Sequence, residues 1–105
     1  MICHTMIVAF ENPIPDADLD QYLKDIEALL TGSGHVTAFA ARRHIRVPGD
    51  DLAPLFVPTA VVQVAAADRE ALDAVFAVPG IEDVIGRWQA RHPYKVVWAN
   101  HEPLA

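Results

Sequence analysis

Apolar and polar positions change period several times along this chain, and each change marks an element. Ile2 to Phe10 is a β-branched, apolar run closed by Glu11-Asn12-Pro13, which predicts a strand. Alternation puts His4, Met6, Val8 and Phe10 on one face and Cys3, Thr5, Ile7 and Ala9 on the other. Both faces are largely apolar, so this strand belongs in the middle of a sheet. After Pro13 and Pro15, the residues Leu19, Tyr22, Leu23, Ile26, Leu29 and Leu30 recur at three- and four-residue spacing. Asp20, Lys24, Asp25 and Glu27 fall between them. This is the pattern of an amphipathic helix, with Asp16 or Asp18 as its cap and Gly32-Ser33-Gly34 as its end.

His35 to Val47, bracketed by Gly34 and Pro48, predicts a long strand. Pro48, Pro54 and Pro58 exclude a regular central element in the loop that follows. Its Leu52, Leu55, Phe56 and Val57 are apolar enough to be expected to pack on something. Thr59 to Ala66 predicts another strand, with Gln63 its one strongly polar residue. Asp68 caps a helix that carries Leu72, Val75 and Phe76 on one side. Pro79-Gly80 interrupts it, and a second helical piece sets Ile81, Val84, Ile85 and Trp88 in register. His92-Pro93 closes that piece, His92 being read as a solvated turn residue, and Tyr94 to His101 is the last strand.

The order strand, helix, strand, strand, helix, strand over residues 1–105 predicts one α+β domain. The expected architecture is a ferredoxin-like βαββαβ sandwich: an antiparallel four-stranded sheet with two helices on one face. The bare face of that sheet is too apolar to stay wet, so a second copy is expected to cover it. Two sheets clasped in this way form a two-fold homodimer, a dimeric α+β barrel.

Composition narrows the choice of function. A hydrophobic fraction of 52% with 21% charged residues is that of a globular chain. A formal net charge of −6 argues against nucleic acid and anionic membrane as partners. No apolar run approaches the roughly 20 residues that span a bilayer, and no secretory leader pattern opens the chain. Cys3 is the only cysteine, which excludes an internal disulfide and a thiolate metal cluster and suits a reducing cytoplasm. The histidines lack metal-ligand spacing and the acidic pairs fall on exposed helix faces, so no metal is expected.

The opening MICHTMIVAF, a His followed by alternating apolar residues, resembles the first strand of the dimeric α+β barrel superfamily. ADREALDAVFAVPGIEDVI resembles that group's acidic turn, helix and proline break. Within the superfamily the layout is most similar to the stress-responsive A/B barrel proteins and their polyketide-cyclase relatives. The resemblance implies a homodimer holding a small aromatic or polyketide molecule between sheet and helices, and chemistry without a cofactor. The cyclases carry histidines around the proline after the second helix, with an aromatic hydroxyl before them. Here that region reads Phe76-Ala77-Val78-Pro79-Gly80-Ile81. One half of the acid/base pair, His4, carries over and the other does not.

His4 is the first candidate for catalysis: a neutral imidazole in a dry pocket accepts a proton from an activated carbon or a phenol. The competing reading is a core histidine satisfied by a carbonyl. Tyr22, on the apolar helix face, would orient a substrate oxygen, or reach the surface from the core edge. Met6, Val8, Phe76, Trp88 and Trp98 are the expected apolar walls of a substrate site, the tryptophans being equally at home in a core. Arg42 and His44, within the basic stretch Arg42–Arg46, would clamp an anionic substrate end, or pair with Asp50, Asp51 or a dimer mate. Asn100 and His101 are polar enough to border a pocket mouth.

The leading expectation is a cytoplasmic homodimer that performs cofactor-independent proton transfer on an apolar or aromatic small-molecule substrate: an isomerase, a cyclase or a cofactor-free monooxygenase. The alternative is a non-catalytic dimer that binds a small ligand in a stress response. A haem-degrading monooxygenase is the third reading, without a matching residue set.

Overall fold

In the computed structural model, which describes residues 1–105, the first alternating stretch is strand β1 (Ile2–Phe10). It lies between β3 (Ala60–Ala66) and β4 (Tyr94–His101), antiparallel to both, and β2 (Val36–Arg43) pairs with β3 at the other edge. The sheet order is therefore β2-β3-β1-β4. A strand with hydrogen-bonded neighbours on both sides is where an apolar run of this kind is stable, because its backbone groups are paired along both edges.

The register assigns every strand residue to a face. His4 stands opposite Val64 and Asn100, Met6 opposite Val62 and Trp98, and Val8 opposite Ala60 and Val96. Helices α1 (Asp16–Thr31), α2 (Arg69–Phe76) and α3 (Ile81–Arg91) cover this face. Leu19, Tyr22, Ile26 and Leu30 of α1 close over Val8, Val62 and Val64, with Val75 of α2 and Trp88 of α3 completing the core. Each fully buried valine here stabilises the fold by about 1.5–3 kcal/mol relative to an exposed one. The predicted second helix is two helices, broken at Pro79-Gly80. Gly80 adopts φ 88° at the start of α3, a left-handed conformation that glycine adopts without steric cost.

Four local expectations are corrected. β2 ends at Arg43 instead of Val47. The last cross-strand bond is His44 N–H to the Thr59 carbonyl at 2.9 Å, after which Asp50 accepts from Val47 N–H and a 3-10 turn forms over Pro48–Leu52. β3 begins at Ala60 instead of Thr59, which is tied across to β1: its N–H bonds the Val8 carbonyl and its hydroxyl accepts from Phe10 N–H. Helix α1 has no side-chain cap; the Pro15 carbonyl receives Asp18 and Leu19 N–H instead. Leu52 and Leu55, expected to pack, are 85% and 87% exposed, while Phe56 and Val57 of the same loop are partly buried.

The opposite face of the sheet has no helix over it. Arg42, Val61, Ile7 and Val97 form one cross-strand row there, and Ala40, Gln63, Thr5 and Ala99 the next. Gln63 donates to the Thr5 hydroxyl at 3.0 Å, and Thr5 is 2.6 Å from His101 Nε2. No helix of the chain is long and apolar enough to cross a membrane.

Candidate active site

Because the helices lean toward β2 and β3, the β1–β4 half of the covered face is left with a hollow. It encloses about 460 Å³, and 14 of its 18 lining residues are hydrophobic. Such a volume and such walls are those of a site for a drug-sized organic molecule. The chain supplies its parts from every layer: His4, Met6 and Val8 from β1, Tyr22 from α1, Phe76 from the end of α2, and Trp98 from β4. Six of the nine residues singled out in the sequence thus meet in one place.

His4 is 5% exposed and is the one buried polar residue of the fold. Its Nδ1 lies 2.6 Å from Asn100 Oδ1 on the neighbouring strand. An amide oxygen only accepts, so in the neutral ring Nδ1 carries the proton and Nε2 keeps its lone pair. No protein group bonds Nε2, and the atom is not sealed from the hollow. The ring is held by Phe76, centroids 4.5 Å apart, and by Trp98 at 5.9 Å. Burial lowers the pKa of His4, the Asn100 bond opposes that shift, and the charge of nearby His101 adds to it. The neutral imidazole, the form that accepts a proton, is therefore the resident form at neutral pH. The ring is satisfied at Nδ1 by a side-chain amide oxygen instead of the backbone carbonyl of the competing reading, and Nε2 has no protein partner.

Tyr22 is 4% exposed, edge-on to Phe10, Trp88 and Tyr94. Burial, followed by the Tyr94 hydroxyl beside it, pushes its phenol pKa up. It stays a neutral hydroxyl, able to donate to a substrate oxygen and unable to act as an anion. Trp98 is 57% exposed and stands at the mouth.

Three expected site residues lie elsewhere. Trp88 is a core residue, with its indole N–H donated to Asp25 at 2.9 Å. The helical turn that aims Ile81 and Ile85 at the hollow rotates Trp88 toward α1. Arg42 projects from the opposite face of the sheet, exposed, with only the Ala41 carbonyl as partner. His44 falls beyond the end of β2 and binds the Asp50 carboxylate at 2.8 Å, which holds that carboxyl below its usual range. The rest of the basic stretch is held by acids: Arg43 pairs with Asp16 and Asp20 of α1, and Arg46 with Asp51. His92 is also reassigned, from solvated turn to a ring stacked on Trp88 and bonded to Asp18 at 3.0 Å.

Sequence reasoning gave Asn100 a place at the mouth but not its bond to His4, which follows only once the β1–β4 register is known. Tyr94 and Asp73 were missed as lining residues. Tyr94 faces the helices by simple alternation with Val96 and Trp98, a signal present in the sequence; Asp73 carries none.

The chain has the ferredoxin-like fold of several solved structures. A dabb family protein with a ferredoxin-like fold from Mesorhizobium loti superposes with a TM-score of 0.71 at 21% identity, over 99% of this chain and 97% of that one. A dimeric ferredoxin-like protein of unknown function from Thermobifida fusca gives 0.72 at 9% identity, over 97% and 90%. SnoaB, a cofactor-independent oxygenase from Streptomyces nogalater, gives 0.70 at 10% identity, over 99% and 93%. No family model and no curated protein sequence matches the chain. The resemblance expected from the order of elements is thus met as a shared fold, α+β with an antiparallel four-stranded sheet.

Proposed function

We propose that the protein is a homodimeric, cytoplasmic, cofactor-independent enzyme that removes a proton from an apolar or aromatic, polyketide-like metabolite. The observation that carries this reading is the His4–Asn100 pair: an imidazole fixed in one tautomer, with its basic nitrogen turned to an apolar hollow. Proton removal from a phenol or an enolisable carbon is the step shared by isomerisation, cyclisation and cofactor-free oxygenation. Tyr22 serves as a neutral donor that orients a substrate oxygen, while Met6, Val8, Phe76 and Trp98 form the walls. That SnoaB, with the same fold, is a cofactor-independent oxygenase supports the class of chemistry. The Thermobifida fusca protein, described as dimeric, supports the assembly.

Solvent deuterium exchange at the α-carbon of 2-tetralone, followed by proton NMR, tests the reading. The wild-type chain is expected to accelerate exchange over buffer, and His4→Gln, folded by circular dichroism, to return it to background. Exchange that survives in His4→Gln removes His4 from the chemistry. Binding of the ketone without any acceleration replaces the enzyme by the alternative function, a ligand-binding protein.

A further inference from the structure

The hollow has an electrostatic character that its apolar walls conceal. Among its 18 lining residues there is no lysine and no arginine, and the one formal charge is the carboxylate of Asp73. Asp73 is exposed on α2. It makes no ion pair, not even with Arg69 one helical turn earlier. Arg43, Arg91 and Arg46 are held by Asp16 and Asp20, by Asp18 and by Asp51, and none of the eight basic residues of the chain lines the hollow. The chain as a whole carries a formal charge of −6, which adds a long-range repulsion of anions.

We infer that this site, as read above, selects uncharged flat substrates and turns away anions, with Asp73 as the specificity-determining residue at its mouth. An anion entering the hollow loses its hydration and finds no cation to replace it, a cost that an uncharged phenol or ketone does not bear. A neutral substrate also suits proton removal by His4. The proton leaves a carbon or oxygen of the substrate and goes to Nε2, so the product pair is one imidazolium and one enolate or phenolate, and the net charge of the hollow does not change. A substrate that entered as an anion would become a dianion there.

Isothermal titration with a matched pair of probes, 2-naphthol and 2-naphthoate, at neutral pH and low salt, reads the selection directly. The naphthol is expected to bind on the order of ten-fold more tightly than the carboxylate. Asp73→Asn should narrow the gap several-fold and Asp73→Lys should close or reverse it, through the affinity for naphthoate alone. Equal affinities in the wild type, or a gap unchanged in both variants, overturn the inference and leave the site reading standing. Failure of both probes to bind overturns the site reading, and the selection falls with it.

Discussion

His4 shows how little a residue type says until its partner is known. An asparagine at hydrogen-bond distance fixes the tautomer without contributing a charge, so burial decides the protonation state. The consequence for pH has a definite sign. A folded-state pKa below the unfolded value means that the unfolded chain takes up the proton first. Stability is complete above about pH 6.5 and declines as the pH falls through the window between the unfolded and the folded value. Base activity falls over the same acid limb, since only the neutral ring accepts a proton. Asn100→Asp should reverse the balance: a carboxylate on Nδ1 stabilises the imidazolium and raises the pKa of His4. NMR titration of the His4 ring protons would show the rise, with the acid limb of the exchange rate moving in step. An unmoved titration in the variant would mean that the His4–Asn100 contact does not exist in solution.

Helices and strands were readable because their periods are written in the residues; their rotations and registers were not. The spacing of Leu19, Tyr22, Ile26 and Leu30 gives a helix with one apolar stripe, and α1 buries that stripe. Ile81, Val84, Ile85 and Trp88 give a stripe as well, but a stripe wider than one neighbour leaves open which residue meets which surface. Only the packing of α3 divides it, Ile81 and Ile85 to the hollow and Trp88 to α1. The basic residues after Phe39 failed for another reason: whether a strand continues depends on its partner, and β3 begins at Ala60, opposite Arg43. The two tryptophans separate these roles in experiment. Trp88→Ala removes a buried ring and takes one of two donors from the Asp25 carboxylate, and should cost about 3–5 kcal/mol in urea unfolding. Trp98→Ala, at the rim, should cost less than about 1 kcal/mol yet weaken naphthol binding severalfold. Similar stability losses for both would contradict the division.

At the scale of the whole molecule the sheet has two faces with different fates, one roofed by helices and one bare. The bare face joins an apolar row through Ile7, Val61 and the half-exposed Val97 to the Gln63–Thr5–His101 chain of hydrogen bonds. A surface of this make-up, apolar with a few mutually satisfied polar groups, matches the centre of a subunit interface. Sedimentation of the wild type is expected to give twice the mass of one chain, and Val97→Asp to give a single chain, because a desolvated carboxylate without a partner costs several kcal/mol across a two-fold axis. A wild-type protein that sediments as one chain at micromolar concentration would refute the clasp.

The hollow opens beside Trp98 on the helix side of an edge strand, and the bare face looks the other way. In the proposed dimer, loading and assembly would therefore use opposite sides of one sheet, only a few ångströms of backbone apart. Each subunit would fill and empty through its own door while its twin stays attached, giving a hyperbolic isotherm with one ligand per chain. Dilution into separate chains would leave that isotherm in place.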